Sequence, residues 1–330
     1  MTRDIFDTIL LLALPASGKS EVRKFLASFD GAASREHFRM GETVQLDDYP
    51  YVHLMRRVDE ALRAHGSDGV IFAAPDAGFA DPRDWGTLVE LINEDYADLR
   101  GGGARPSGRA AEWLLSRLDR ARAAVGAQPL GARLTRKERK AVAEAIEGEA
   151  AALVHDKWAA IPETLDGRTV VIEFARGGAQ GSAMPLPAPF GYAHSLGRLS
   201  DDILSRAAIL YVWVTPEQSR AKNEHRADPN DPGSILHHGV PLRVMLGDYG
   251  CDDLGHLLGA GGDGASVRVT SAATGRTYRV PTVRLDNRAD LTTFARADRS
   301  AWDPASADAL REALAAALDA LWRSQAGNRR

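Results

Sequence analysis

This sequence has one cysteine, six lysines and no long apolar run. The single cysteine, Cys251, excludes an internal disulfide and suits a reducing compartment. No segment approaches the roughly 18 apolar residues of a membrane span, so no membrane partner is expected. The nearest thing to a signal-peptide core, Ile5 to Leu14, contains Asp7, follows Asp4 and runs into Lys19; a cytoplasmic protein is expected. An excess of one charge is also lacking. With 41 Lys and Arg against 45 Asp and Glu, the net charge of −4 gives no general attraction to nucleic acid or to anionic lipid. No internal repeat is present. The composition is that of a soluble globular chain, long enough for one large α/β domain with an insertion, or for two domains.

The shortage of lysine makes one lysine informative. Six lysines stand against 35 arginines, yet one of the six closes Ala13-Leu14-Pro15-Ala16-Ser17-Gly18-Lys19-Ser20. The apolar run Ile9–Leu12 precedes this stretch, and Val22, Phe25, Leu26 and Phe29 follow it at helical spacing. Strand, glycine-containing turn and helix in that order form the setting of a phosphate-binding loop, with Ala13 where the usual pattern has its first glycine. The main-chain N–H groups of Ala16, Ser17 and Gly18 and the helix N-terminus would surround a polyphosphate. Lys19 would reach the β- and γ-phosphates, and the Ser20 hydroxyl would sit on Mg²⁺.

Further strands are expected at Glu42–Leu46, Thr169–Phe174, Ala208–Val214 and Thr282–Leu285, with helices between them. Val70–Ala74 reads as either a strand or buried coil. Residues 100–163 read as a helical insertion with a capping box at Thr135-Arg136-Lys137-Glu138. Residues 264–281 read as a β-hairpin excursion. Leu310, Leu314, Leu318 and Leu321 lie on one stripe of a C-terminal helix, which is core packing. The expected fold is a single α/β domain over 1–330 with a five-stranded, mostly parallel sheet covered on both faces.

Ligands in such sheets sit beyond the carboxyl ends of the strands. Asp47-Asp48-Tyr49 ends the second strand, and Asp47 is expected to take a proton from an acceptor hydroxyl. Asp48, Tyr49 and Arg56 would contact that acceptor, with Asp48 orienting Arg56 or Mg²⁺. The alternative is that one of the two aspartates caps the next helix. Glu173 closes an otherwise apolar strand, where a carboxylate is costly unless paired or bound to metal. It would hold Mg²⁺ through water, or pair with Arg176, whose fork otherwise suits the acceptor or its phosphate. Arg220, Asn223 and Arg226 follow the fourth strand and read as a basic lid over the phosphates, or as a solvated helix paired with Glu217 and Glu224. His237-His238 lacks neighbours at metal-ligand spacing. Asp252-Asp253 reads as a helix cap, and Cys251 as inert.

These segments together resemble the P-loop kinase group, a family of nucleoside, nucleotide and small-metabolite kinases. Asp47-Asp48-Tyr49 is similar to the Asp-x-Phe-Tyr segment of uridine-kinase-like enzymes, where the acid is the base. Glu173 with Arg176 resembles the Glu-Arg-Ser signature of deoxynucleoside kinases at a different spacing. The resemblance places Asn287 where this group contacts adenine and implies a three-layer α/β/α P-loop NTPase fold. It also implies ATP and Mg²⁺ as cofactors and a small-molecule acceptor: nucleoside, nucleotide or sugar. The competing expectations are an ATPase or switch acting on a protein or nucleic-acid partner, and an interaction scaffold. The GTPase motif Asn-Lys-x-Asp is absent.

Overall fold

The computed structural model describes residues 4–226 and 239–328. The chain divides into two compact units, Leu46–Thr164 and the remainder on either side of it. Among the described residues no helix is long and apolar enough to cross a membrane.

In chain order the first unit opens with β1 (Thr8–Leu12), α1 (Lys19–Leu26), α2 (Gly31–Phe38) and β2 (Glu42–Asp47), whose last two residues pass into the second unit. The second unit holds α3 (Tyr49–Ala64), α4 (Asp84–Ala97), α5 (Ala110–Ala124) and α6 (Arg136–Ala159). The first unit then resumes with β3 (Arg168–Phe174), α7 (Gly191–Gly197), α8 (Asp201–Arg206), β4 (Ala207–Trp213) and α9 (Pro216–Arg226). It ends with α10 (Leu242–Gly247), α11 (Leu254–Ala260), β5 (Ser266–Thr270), β6 (Thr277–Asp286) and α12 (Pro304–Asn328).

The sheet has six strands in the order β2-β3-β1-β4-β6-β5. β1 runs parallel to β3 and β4, β4 runs parallel to β6, and β5 pairs antiparallel with β6. β1 is buried along its whole length, and β3 and β4 nearly so, which is why their sequences are continuous apolar runs rather than alternations. One face of the sheet presents Ile9, Leu11, Val171, Leu210 and Val212 to Val22, Phe25 and Leu26 of α1 and to the expected leucine stripe of α12. Emptying one of these positions, as in Leu314→Ala, removes about 2–5 kcal/mol.

The sheet corrects the expectation of five strands plus an excursion. The returning arm of the hairpin and the last core strand are one strand, β6, running through Pro281. A proline lacks an N–H and looks like a break in sequence. Here Pro281 sits opposite Ser266, and the ladder resumes at once, with Thr282 N donating to Ala265 O at 2.9 Å. The hairpin is therefore the sixth strand and its connection.

The second unit runs from Leu46 to Thr164, with α3 packing on α6 and α4 on α5. Buried charge also ties it together. Arg117 reaches Glu94 at 2.6 Å and Asp95 at 2.9 Å, Lys157 reaches Asp95 at 2.7 Å, and Arg122 reaches Asp84 at 2.6 Å. The capping box at Thr135 and Glu138 is formed. Val70, Ile71 and Phe72 form no strand of the sheet, and Phe72 makes only an isolated antiparallel bridge with Phe79. Their three N–H groups all donate to the buried Asp59 carboxylate, which replaces a strand partner.

Candidate functional site

β1 and β4 lie side by side, and their connections leave in opposite directions, one toward β2 and the other toward β6. A crevice beyond the carboxyl ends of such a strand pair is the usual ligand position of an open α/β sheet. The chain from Ala13 to Gly18 lies there. Two of its residues are left-handed, Ala16 at φ 54° and Gly18 at φ 105°. At Gly18 the requirement for glycine is double, since a Cβ would also collide with the side chains of Thr292 and Asn287.

Three side chains from distant elements hold this loop by alternate carbonyls. Tyr192 donates to Ala13 O at 2.9 Å, Ser219 to Pro15 O at 2.7 Å, and Asn287 to Ser17 O at 2.8 Å. In a trans peptide the N–H points opposite to the preceding C=O. The N–H groups of Leu14, Ala16 and Gly18 are therefore turned away from the braces. No side chain caps α1, whose N-terminus begins directly after Gly18. These N–H groups, followed by an uncapped helix N-terminus, make a set of donors suited to an anion. Lys19 is buried in the first turn of that helix.

Below the first turn lies Glu173, on the face of β3 turned toward α1. Its carboxylate is 5% exposed, so its charge has to be compensated. Ser20 donates from its hydroxyl to Oε1 at 3.0 Å. Arg23 Nε lies 3.2 Å from Oε2. That approach neutralises charge without forming a directed hydrogen bond, and Oε2 has no hydrogen-bond partner. The expected alternative partner, Arg176, is not the one used. Arg176 is buried, donates to Ala175 O at 2.7 Å and stacks over Phe174 at 5.0 Å.

No family model, curated protein or solved structure matches this chain.

Several expected site residues serve other purposes. Asn287 is fully buried and does not offer its amide to a base. The amide donates to Ser17 O and to Thr292, and its oxygen accepts from Leu291 N at 2.7 Å. α9 is tied to the rest of the first unit: Ser219 holds the loop, Asn223 is bonded to Val240 through both amide atoms, and Lys222 pairs with Asp290 at 2.8 Å. Arg220 lies on α9 with Glu217 at 3.2 Å, and its Nη1 is buried without a hydrogen-bond partner. Arg226 closes α9, and its side chain lies outside the described residues, as do His237 and His238.

In the second unit, Asp47 Oδ1 accepts from Tyr49 N at 2.7 Å, so the capping role falls to Asp47. Asp48 is buried at the start of α3 and makes no side-chain cap bond. Arg56 holds the 75–77 turn through Pro75 O and Ala77 O and stacks on Phe72.

Sequence reasoning missed Tyr192, Ser219 and Arg23. Only Arg23 left a signal, standing one helical turn after Ser20 on the same face. The Asp252-Asp253 pair does cap, but not only its own helix. Asp253 accepts from Tyr192 N and Ala193 N at the start of α7, while Asp252 accepts from Leu254 N and from the Tyr211 hydroxyl. Burial pushes the Asp252 carboxyl up to about 6 and raises the Cys251 thiol, which keeps the latter unreactive. Among the described residues no three His, Cys, Asp or Glu side chains are grouped to hold a metal.

Proposed function

We propose that this chain is an ATP- and Mg²⁺-dependent phosphotransferase acting on a small hydroxyl- or phosphate-bearing acceptor: a nucleoside, nucleotide or sugar. The observation that supports it best is the loop from Ala13 to Ser20, braced by three carbonyls with the Ser20–Glu173 pair beneath it. The mostly parallel sheet suits a three-layer P-loop NTPase fold, in which Ala16, Ser17 and Gly18 wrap the phosphates.

The metal fits what is present. Glu173 Oε2 is a buried acceptor lacking a hydrogen-bond donor, and a metal-bound water would supply one. Ser20 and Glu173 would be the protein's share of the coordination, leaving phosphate oxygens and water to complete it, as Mg²⁺ usually requires. Bound there, Mg²⁺ would neutralise charge on the β- and γ-phosphates. Lys19 binds the same oxygens, and Arg176 and Arg220 are the further cations the first unit offers to the phosphates or the acceptor. In the transfer the acceptor oxygen bonds to the γ-phosphorus as the bond to the β-phosphate oxygen breaks. The acceptor's proton passes to a carboxylate, a role this reading assigns to Asp47.

The test is calorimetric ATP binding together with ATP turnover against a panel of nucleosides, nucleotides and sugars. ATP binding lost in Lys19→Met, and turnover that requires one acceptor class, are the expected results. Failure of the wild type to bind ATP removes the proposal, and hydrolysis stimulated only by a macromolecule replaces it with an ATPase.

A further inference from the structure

Beneath the loop, Glu173 is satisfied in charge but not in hydrogen bonding. Ser20 and Arg23 stand one turn apart on α1 and divide the carboxylate between them, Ser20 on Oε1 and Arg23 beside Oε2. Arg23 is 16% exposed on its side-chain surface, whereas Glu173 is enclosed. Its Nε lies close enough for a strong electrostatic pairing, yet at an angle that leaves the Oε2 lone pairs unused. A guanidinium evolved only to bury this carboxylate would be expected to form the aligned, bidentate fork that Arg favours.

We infer that Arg23 is a resident counter-charge that competes with the divalent cation for Glu173, so that the metal is taken up together with the triphosphate and not before it. The inference rests on the phosphotransferase reading, in which that cation accompanies ATP. Two positive groups cannot share one enclosed carboxylate without repulsion, and only a polyanion on the loop adds the negative charge that accommodates both. Arg23 is thus a positioning residue. It acts through Glu173 and keeps the carboxylate oriented and metal-free while the loop is without nucleotide.

The experiment uses the full chain without nucleotide, titrated with Mn²⁺ alone and followed by electron paramagnetic resonance of the free ion. The wild type is expected to bind Mn²⁺ weakly. Arg23→Gln is expected to bind it roughly tenfold more tightly, because a full negative charge is restored beside Ser20. Arg23→Lys should remain near the wild type, and Glu173→Gln added to Arg23→Gln should abolish the gain. Equal or weaker binding by Arg23→Gln overturns the inference, as does a gain that survives Glu173→Gln. Arg23→Met, which removes the charge and keeps much of the volume, gives the same comparison should the glutamine variant fold poorly. ATP binding by the wild type is measured separately, so loss of the phosphotransferase reading and loss of the Arg23 role produce different results.

Discussion

Asn287 donates to the carbonyl of Ser17 at 2.8 Å across 270 residues of sequence. The last strand of the sheet therefore fixes the shape of the loop that follows the first. Asn287→Ala leaves the buried Thr292 hydroxyl and Leu291 N–H short of partners as well as the loop carbonyl. A stability loss of about 1–3 kcal/mol is expected by urea unfolding. ATP affinity should fall about tenfold, measured by calorimetry at a temperature where the variant remains folded.

Tyr192→Phe is the gentler form of the same experiment. It deletes the hydroxyl that reaches Ala13 O and keeps the ring packed against Phe174. A loss of about 1 kcal/mol in stability is expected. If ATP binding weakens by more than that energy accounts for, the brace shapes the loop as well as stabilising the fold.

Asp47 caps Tyr49 N through Oδ1 and is also the proposed base. Asparagine caps as well as aspartate but cannot take the proton. Asp47→Asn is therefore expected to leave unfolding and ATP binding unchanged while lowering kcat about 10²-fold or more. Unaltered turnover would transfer the role to Asp48, where the same substitution can be compared.

Asp248 follows α10 and has a buried Oδ2 without a hydrogen-bond partner. Burial raises its carboxyl from 3.8 to about 6. A carboxyl raised in the fold favours the native state while protonated; that contribution is complete below about pH 4 and is lost as pH rises through about 6. Asp248→Asn removes this dependence. Above pH 7 the variant should be more stable than the wild type by about 1–2 kcal/mol, with the two converging below pH 4. Denaturant midpoints measured across that range check it.

Arg122 and Asp84 form an enclosed pair at 2.6 Å in the second unit. Arg122→Met strands the carboxylate and is expected to cost about 3 kcal/mol or more. Adding Asp84→Asn should recover most of that loss, because a neutral amide needs no counter-charge. A double variant as unstable as the single one would show that packing of the guanidinium, not its charge, matters there.

Much of this architecture was legible in the residues. β1, β3 and β4 are unbroken apolar runs because they are buried, and the α12 leucines repeat at a helical period because one face meets the sheet. Gly18 was legible because its left-handed backbone needs glycine, and Glu173 because a carboxylate closing an apolar strand needs compensating partners. The rest depended on partners far apart in sequence. β6 continues through Pro281 because Ser266 lies opposite it, and Val70–Phe72 stays outside the sheet because Asp59 supplies its acceptors. The second unit is joined by α3 packing on α6, two helices far apart in sequence, and by α4 packing on α5. A tyrosine 179 residues away from the carbonyl it holds, or a serine 204 residues away, leaves no local pattern.

All three braces lie downstream of the loop they hold, the last of them directly after β6. During synthesis, Ala13 to Ser20 leaves the ribosome long before Tyr192, Ser219 and Asn287 exist. A growing or truncated polypeptide that stops short of Asn287 cannot yet pin Ser17, so fragments released early would carry the motif without its shape. The braced shape of the loop is available only once the chain has been made as far as Asn287.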